Sequence, residues 1–120
     1  DRRLLVAMLA HCGFEPSDYG RVLIIVDKLD KIWTEGVARE LAGARFPTTA
    51  IDVLLDLIRD SRYAPDAPVE DVTSIAEAIA GVHGSNAVRL DPTLVRGMGY
   101  YTGPIFEISH PASRSSIAGG

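Results

Sequence analysis

Apolar residues recur at helical spacing through roughly the first 85 positions and then at alternate positions near the end. That change of period decides the kind of fold. Leu4, Leu5, Met8 and Leu9 share one helical face, and Gly13 supplies a stop. Pro16 and Ser17 then mark a second start, with Ser17 placed to accept from first-turn amides and Asp18 suited to the positive end of the helix dipole. This second helix is expected to run to about Ile32, with Val22, Leu23, Val26, Leu29 and Trp33 on one broad stripe. Asp27 and Lys31 lie four apart, as a surface ion pair requires. Thr34 and Glu35 open a short helix to about Ala42, which Gly43 and Pro47 break. Thr48 or Thr49 caps the next. With Thr49 as cap, Asp52 falls where a capping box needs it, and Ile51, Leu54, Leu55 and Ile58 repeat behind it. Pro65 and Pro68 mark a turn. Val72, Ile75, Ala76, Ile79 and Val82 form a last amphipathic face, closing near Gly81–Gly84.

Beyond residue 85 the pattern is that of strands. Residues 86–90 are short and β-compatible, and Asp91-Pro92-Thr93 is a turn signal. From Tyr100 to Ile108 the parity alternates: Tyr100, Thr102, Phe106 and Ile108 on one side, Tyr101, Ile105 and Glu107 on the other. Residues 113–116 read as a polar loop, and 117–120 as the opening of a further strand. The expected fold class is α+β: about five helices in residues 1–85, then antiparallel strands in residues 86–120.

Composition narrows the function classes. Apolar residues make up 47% of the 120, enough for a buried core, which excludes disorder for most of the chain. A net charge of −4 with no basic stripe excludes a strong electrostatic nucleic-acid binder. The longest aliphatic run, residues 22–26, is far too short to span a bilayer, so no membrane partner is expected. Cys12 is the one cysteine, which fits a reducing, cytoplasmic setting. The chain opens on Asp1 and closes on Gly119-Gly120; both ends read as cut, and a piece of a longer protein is expected.

The chemistry concentrates in residues 94–108, Leu-Val-Arg-Gly-Met-Gly-Tyr-Tyr-Thr-Gly-Pro-Ile-Phe-Glu-Ile. Arg96 offers a permanently charged, planar fork suited to carboxylate or phosphate oxygens. Tyr100 and Tyr101 are adjacent, so on a regular strand they face opposite sides. Both reach one small ligand only if the backbone bends, which Gly97, Gly99 and Gly103 permit. Glu107 reads as a solvated strand carboxylate. His11, His83 and His110 are widely separated, with no ligand at metal-binding spacing, so no metal site is assigned. Cys12 reads as a buried thiol, and Asp27-Lys28-Leu29-Asp30-Lys31 as a solvated helix face.

The 94–108 run closely resembles the histidine-binding motif of histidyl-tRNA synthetases, which reads Leu-Val-Arg-Gly-Leu-Asp-Tyr-Tyr-Thr-Gly before a Val-Phe-Glu strand. Asp27–Ile32 resembles a helix of the same family, and Ser116–Gly120 resembles the start of its second histidine signature. Residues 43–85 match only as a helical insertion. The resemblance implies a helical insertion domain in residues 1–85. Residues 86–120 would then be the first antiparallel strands of a class II synthetase catalytic core. It further implies that the parent activates histidine with ATP and Mg²⁺ and transfers it to tRNA(His), and that it forms a homodimer. The insertion domain would lie over the tRNA acceptor stem. Arg96 would contact both the histidine carboxylate and the ATP α-phosphate as a catalytic cation, and Tyr100 and Tyr101 would line the histidine pocket.

Gly99 departs from the pattern, standing where the family carries Asp. The class motifs for dimerisation and ATP binding and the anticodon-binding domain are not among these residues, so the 120 residues alone are expected to be inactive. A synthetase-like regulatory subunit of ATP phosphoribosyltransferase, which senses histidine without catalysis, is the alternative. A helical interaction module with a β-hairpin is the reading if the motif is set aside.

Overall fold

The computed structural model describes residues 1–95, 101–113 and 115–120. Among them are five α-helices: α1 (Arg2–Cys12), α2 (Tyr19–Val26), α3 (Leu29–Gly43), α4 (Thr48–Arg59) and α5 (Glu70–His83). Two short strands follow, β1 (Glu107–Ile108) and β2 (Ala118–Gly119). They pair antiparallel, Glu107 opposite Gly119 and Ile108 opposite Ala118. Paired N–H···O bonds between Phe106 and Gly120, at 2.8 and 3.1 Å, extend the ladder. The described chain is mostly helical with one two-stranded antiparallel sheet, compatible with an α+β fold.

The core is built by α1 to α4. Helix α4 packs on α1 and α3, and α3 packs on α2. Leu9, Val22, Val37, Leu41 and Leu54 are fully buried at the centre, with Met8, Val26, Ile51 and Leu55 around them. These are the apolar positions that the 3-and-4 spacing puts on one face of each helix. Three of the four helices end alike. Gly13, Arg45 and Ser61 adopt positive φ of 89°, 63° and 50°. The next residue's N–H then turns back to the carbonyl five positions earlier: Phe14 to Leu9, Phe46 to Leu41, Arg62 to Leu57. Two of these stops drive a ring into the core. Phe14 and Phe46 meet edge to face at 5.7 Å, and the Arg21 guanidinium lies 5.0 Å over Phe46.

Helix α5 is different. None of its residues is buried, and Ile75, Ile79 and Val82 are exposed. Its start rests on a small satellite cluster of Leu4, Ala64 and Ala67, which Tyr63, Val69 and Val72 extend. Arg3 adds a charged tie, reaching Asp1 at 2.7 Å and Asp71 at 2.6 Å.

Several expectations need correction. The second helix stops at Val26 instead of Ile32, because the backbone turns at Asp27 and Lys28 before α3 begins. Trp33 is not on the buried stripe. Its φ of 60° and ψ of 177° interrupt α3 and turn the indole outward, leaving it 72% exposed. The break itself falls beside Thr34, where a new helical start was expected. Neither Ser17 nor Thr49 caps a helix: α2 follows a 3-10 turn at Pro16–Asp18, and α4 begins after Pro47 with no side-chain cap. The ion pair in this region is Lys28–Glu40 at 2.7 Å, not Asp27–Lys31. Residues 85–87 form a 3-10 turn where a strand was expected, and residues 101–105 enter no ladder among the described residues.

Candidate functional site

The segment that carries the motif is fixed on both sides. Ahead of it, at the expected turn, the Asp91 carboxylate accepts from the Thr93 N–H at 2.8 Å and its hydroxyl at 2.7 Å, closing an Asx turn. The Leu94 N–H returns to the Asp91 carbonyl at 3.5 Å. Val95 then enters the main core, 8% exposed. Asp91 also faces the satellite cluster. Burial pushes the Tyr63 phenol's pKa up, and the Asp91 carboxylate pushes it further, since each disfavours the phenolate. Arg89 balances the carboxylate at 3.5 Å.

Behind the motif, the Gly103 carbonyl accepts from the Arg2 N–H at 3.3 Å, tying the segment to the start of α1. The chain then enters the β1–β2 hairpin. A Cβ on Gly120 would stand 3.0 Å from the Phe106 ring, so a residue without a side chain lets the ring close over the end of the ladder.

Of the residues assigned a role from sequence, Tyr101 is described and half-buried. Arg96 and Tyr100 lie outside the described residues, as do Gly97, Met98, Gly99 and Arg114. Glu107 is exposed on β1. His11 and His83 are exposed, and the His110 Nδ1 accepts from the Ala112 N–H at 3.1 Å within a local turn. Cys12 is a buried free thiol. Among the described residues, no group of three or more His, Cys, Asp or Glu side chains is placed to hold a metal ion. None of their helices is long and apolar enough to cross a membrane.

A model of the histidyl-tRNA synthetase family matches residues 26–120, from the end of α2 through the whole anchored segment and the hairpin. The chain belongs to the histidyl-tRNA synthetase family. The similar proteins carry the same label. The chain is 42% identical over 139 residues to a histidine–tRNA ligase of Leifsonia xyli, covering all of this chain and 32% of that protein. It is 36% identical over 146 residues to a probable histidine–tRNA ligase of Tropheryma whipplei, covering all of this chain and 33% of the relative. A histidine–tRNA ligase of Aeropyrum pernix is 33% identical over 135 residues, covering all of this chain and 30% of the relative. The chain thus spans about a third of the length of these relatives. Membership in the synthetase family makes residues 94–108 the candidate site, with Val95 and Gly103 as its anchors.

Sequence reasoning missed one other feature, an open groove between α3 and α4 lined by Trp33 and Arg59. The signal was a single tryptophan inside a charged run beside Thr34. Helical periodicity assigns that position to the core and hides it.

Proposed function

We propose that the parent of this chain is a histidine–tRNA ligase that joins histidine to ATP as histidyl-adenylate and passes it to tRNA(His). The observation that carries this reading is the family match over residues 26–120, which includes the Arg96-to-Glu107 run. In this reading the helices of residues 1–85 are the insertion domain, facing the acceptor stem. Residues 86–120 contribute strands and the histidine motif to a class II core, and the parent works as a homodimer in the cytoplasm.

The chemistry follows from the residue types. The histidine carboxylate attacks the α-phosphorus of ATP, a P–O bond forms, and the bond to the pyrophosphate leaving group breaks. Negative charge spreads over the phosphoryl oxygens as this occurs. In this reading the permanently charged Arg96 guanidinium contacts both the carboxylate and the α-phosphate and stabilises that charge. Tyr100 and Tyr101 present phenols that serve either as donor or acceptor, matching the two nitrogens of an imidazole. Mg²⁺ would arrive on the ATP phosphates; the described residues offer no cluster of ligands for it. The 120 residues alone supply the histidine side of the pocket and are inactive in this reading.

Substituting Arg96→Ala in the full-length parent should lower histidine-dependent ATP–pyrophosphate exchange on the order of 10²-fold or more. Exchange at the wild-type rate would remove Arg96 from the mechanism. Histidine binding by the wild-type parent with no exchange at all would favour a histidine-sensing regulatory subunit, the reading that Gly99 in place of Asp suggests.

A further inference from the structure

We infer that Asp91 is a positioning residue for the adenylation step: its carboxylate holds the turn from which the chain runs into Val95 and Arg96. The inference rests on the role proposed for Arg96 and adds a residue outside the 94–108 motif. The Asp91 Oδ1 accepts twice, from the Thr93 N–H at 2.8 Å and from the Thr93 hydroxyl at 2.7 Å. Both are short bonds to a charged acceptor. The turn's backbone bond, from the Leu94 N–H to the Asp91 carbonyl, is 3.5 Å long and correspondingly weak. The carboxylate therefore holds this turn more than the main chain does. Its other oxygen faces Arg89 at 3.5 Å, on a side chain 87% exposed, so that pair contributes little.

The turn matters because of what it joins. Residues 84–90 are exposed apart from half-buried Val88. Pro92 is then buried, and Val95 enters the main core. Only Thr93 and Leu94 lie between those two anchors, and both are half-buried, so the turn sets the direction of the backbone into Val95. Arg96 follows Val95 directly, and a peptide bond fixes the distance between consecutive Cα atoms at about 3.8 Å. A shift of the Val95 backbone therefore shifts the point to which the Arg96 side chain is attached. A transition-state contact tolerates little of this: misplacement by about 1 Å can cost on the order of 10²-fold. The chemistry of the turn also selects its residue. Aspartate reaches the N–H two residues on, whereas glutamate is one methylene too long and alanine offers no acceptor. Asparagine keeps the Oδ1 and loses only the charge.

The test uses the full-length parent and single-turnover formation of histidyl-adenylate. The amplitude counts competent sites, and the rate constant reports how well each one works. Asp91→Ala and Asp91→Glu should each lower the rate constant by roughly 10-fold or more, while Asp91→Asn stays within about 3-fold of wild type. The deciding readout is the pair with Arg96. In an Arg96→Ala background, Asp91→Ala should cost less than about 2-fold, because the group it positions is gone. A merely structural role would lower the amplitude instead, and would cost as much in either background. Thr93→Val removes one of the two bonds and serves if Asp91→Ala does not fold. It should cost about 3-fold in the wild type and nothing in the Arg96→Ala background. Wild-type rates from Asp91→Ala, equal losses in both backgrounds, or an Asp91→Asn as slow as Asp91→Ala would overturn the assignment. Each of these leaves the adenylation reading standing as long as Arg96→Ala is itself slow. A wild-type parent that forms no adenylate would remove both.

Discussion

Cys12 ends α1 facing the main core, and the cost of charging it there is a property of that one side chain. Burial pushes its thiol pKa from the ordinary 9.0 up to about 11. The folded value lies above the unfolded one, so the folded state keeps its full advantage below about pH 9 and loses it as pH rises toward 11. Two pKa units correspond to roughly 2–3 kcal/mol. Urea midpoints at pH 8 and pH 10.5 should therefore fall further for the wild type than for Cys12→Ala. Tyr63, also raised, titrates in both proteins and cancels in the comparison. Equal losses would mean that the thiol reaches solvent in the folded chain. A buried thiol was legible at this position because Cys12 falls a helical turn beyond Met8 and Leu9. Trp33 was not, for a reason that belongs to the same scale. Periodicity assigns faces on the assumption of helical φ and ψ throughout, and one residue outside that region redirects its own side chain and moves the helix boundary. Gly36 shows the local consequence: a Cβ there would stand 2.6 Å from the Ile32 Cβ, so the interrupted helix closes only over a residue without one.

Among the elements, existence and type were read correctly where apolar spacing was sustained, as in α1, α4 and α5. Ends were read correctly where glycine or proline forced them, as at Gly13 and Pro47. Caps were misjudged because Ser17 and Thr49 have the right chemistry without the right position: α2 and α4 begin at Tyr19 and Thr48. The 101–105 stretch alternates as a strand does, but alternation records which faces differ, while a strand also needs a neighbour to pair with. Only the last residues of the run, from Phe106 to Ile108, meet one among the described residues. Helix α5 poses the converse case, a well-patterned face with no buried residue. It is held at its start by Val72 on the satellite cluster and by an exposed Arg3–Asp71 pair, which contributes at most about 1 kcal/mol. Its amides should exchange with solvent well before those of α1 and α4 in native-state hydrogen exchange, and Asp71→Asn should speed them slightly. Protection of α5 equal to that of α4 would show that its apolar face is covered in solution.

Over the whole molecule these differences make stability lopsided. Among the described residues, the apolar side chains of the main core lie in α1 to α4 and the stops between them, together with Val95 from the motif segment. On either side of residues 96–100 the described residues touch the helical part through buried Val95 and the Gly103 carbonyl, while Arg96 and Tyr100 lie outside the described residues. The motif was readable from sequence because its letters specify a ligand chemistry, whereas spacing alone carries no side-chain positions. The lopsided stability yields a contrast between two isoleucine- and leucine-sized truncations. Leu54→Ala removes a fully buried side chain at the junction of α4 with its neighbours and should cost about 3 kcal/mol, a large share of the stability of a small domain. Ile79→Ala removes a side chain 40% exposed on α5 and replaces it with a better helix former, so the change should stay within about 0.5–1 kcal/mol. Denaturant midpoints of the two variants at neutral pH measure the difference directly. If Ile79→Ala destabilised the chain as much as Leu54→Ala, α5 would have to be a full member of the core, and the division into a four-helix centre with a lightly attached fifth would be wrong.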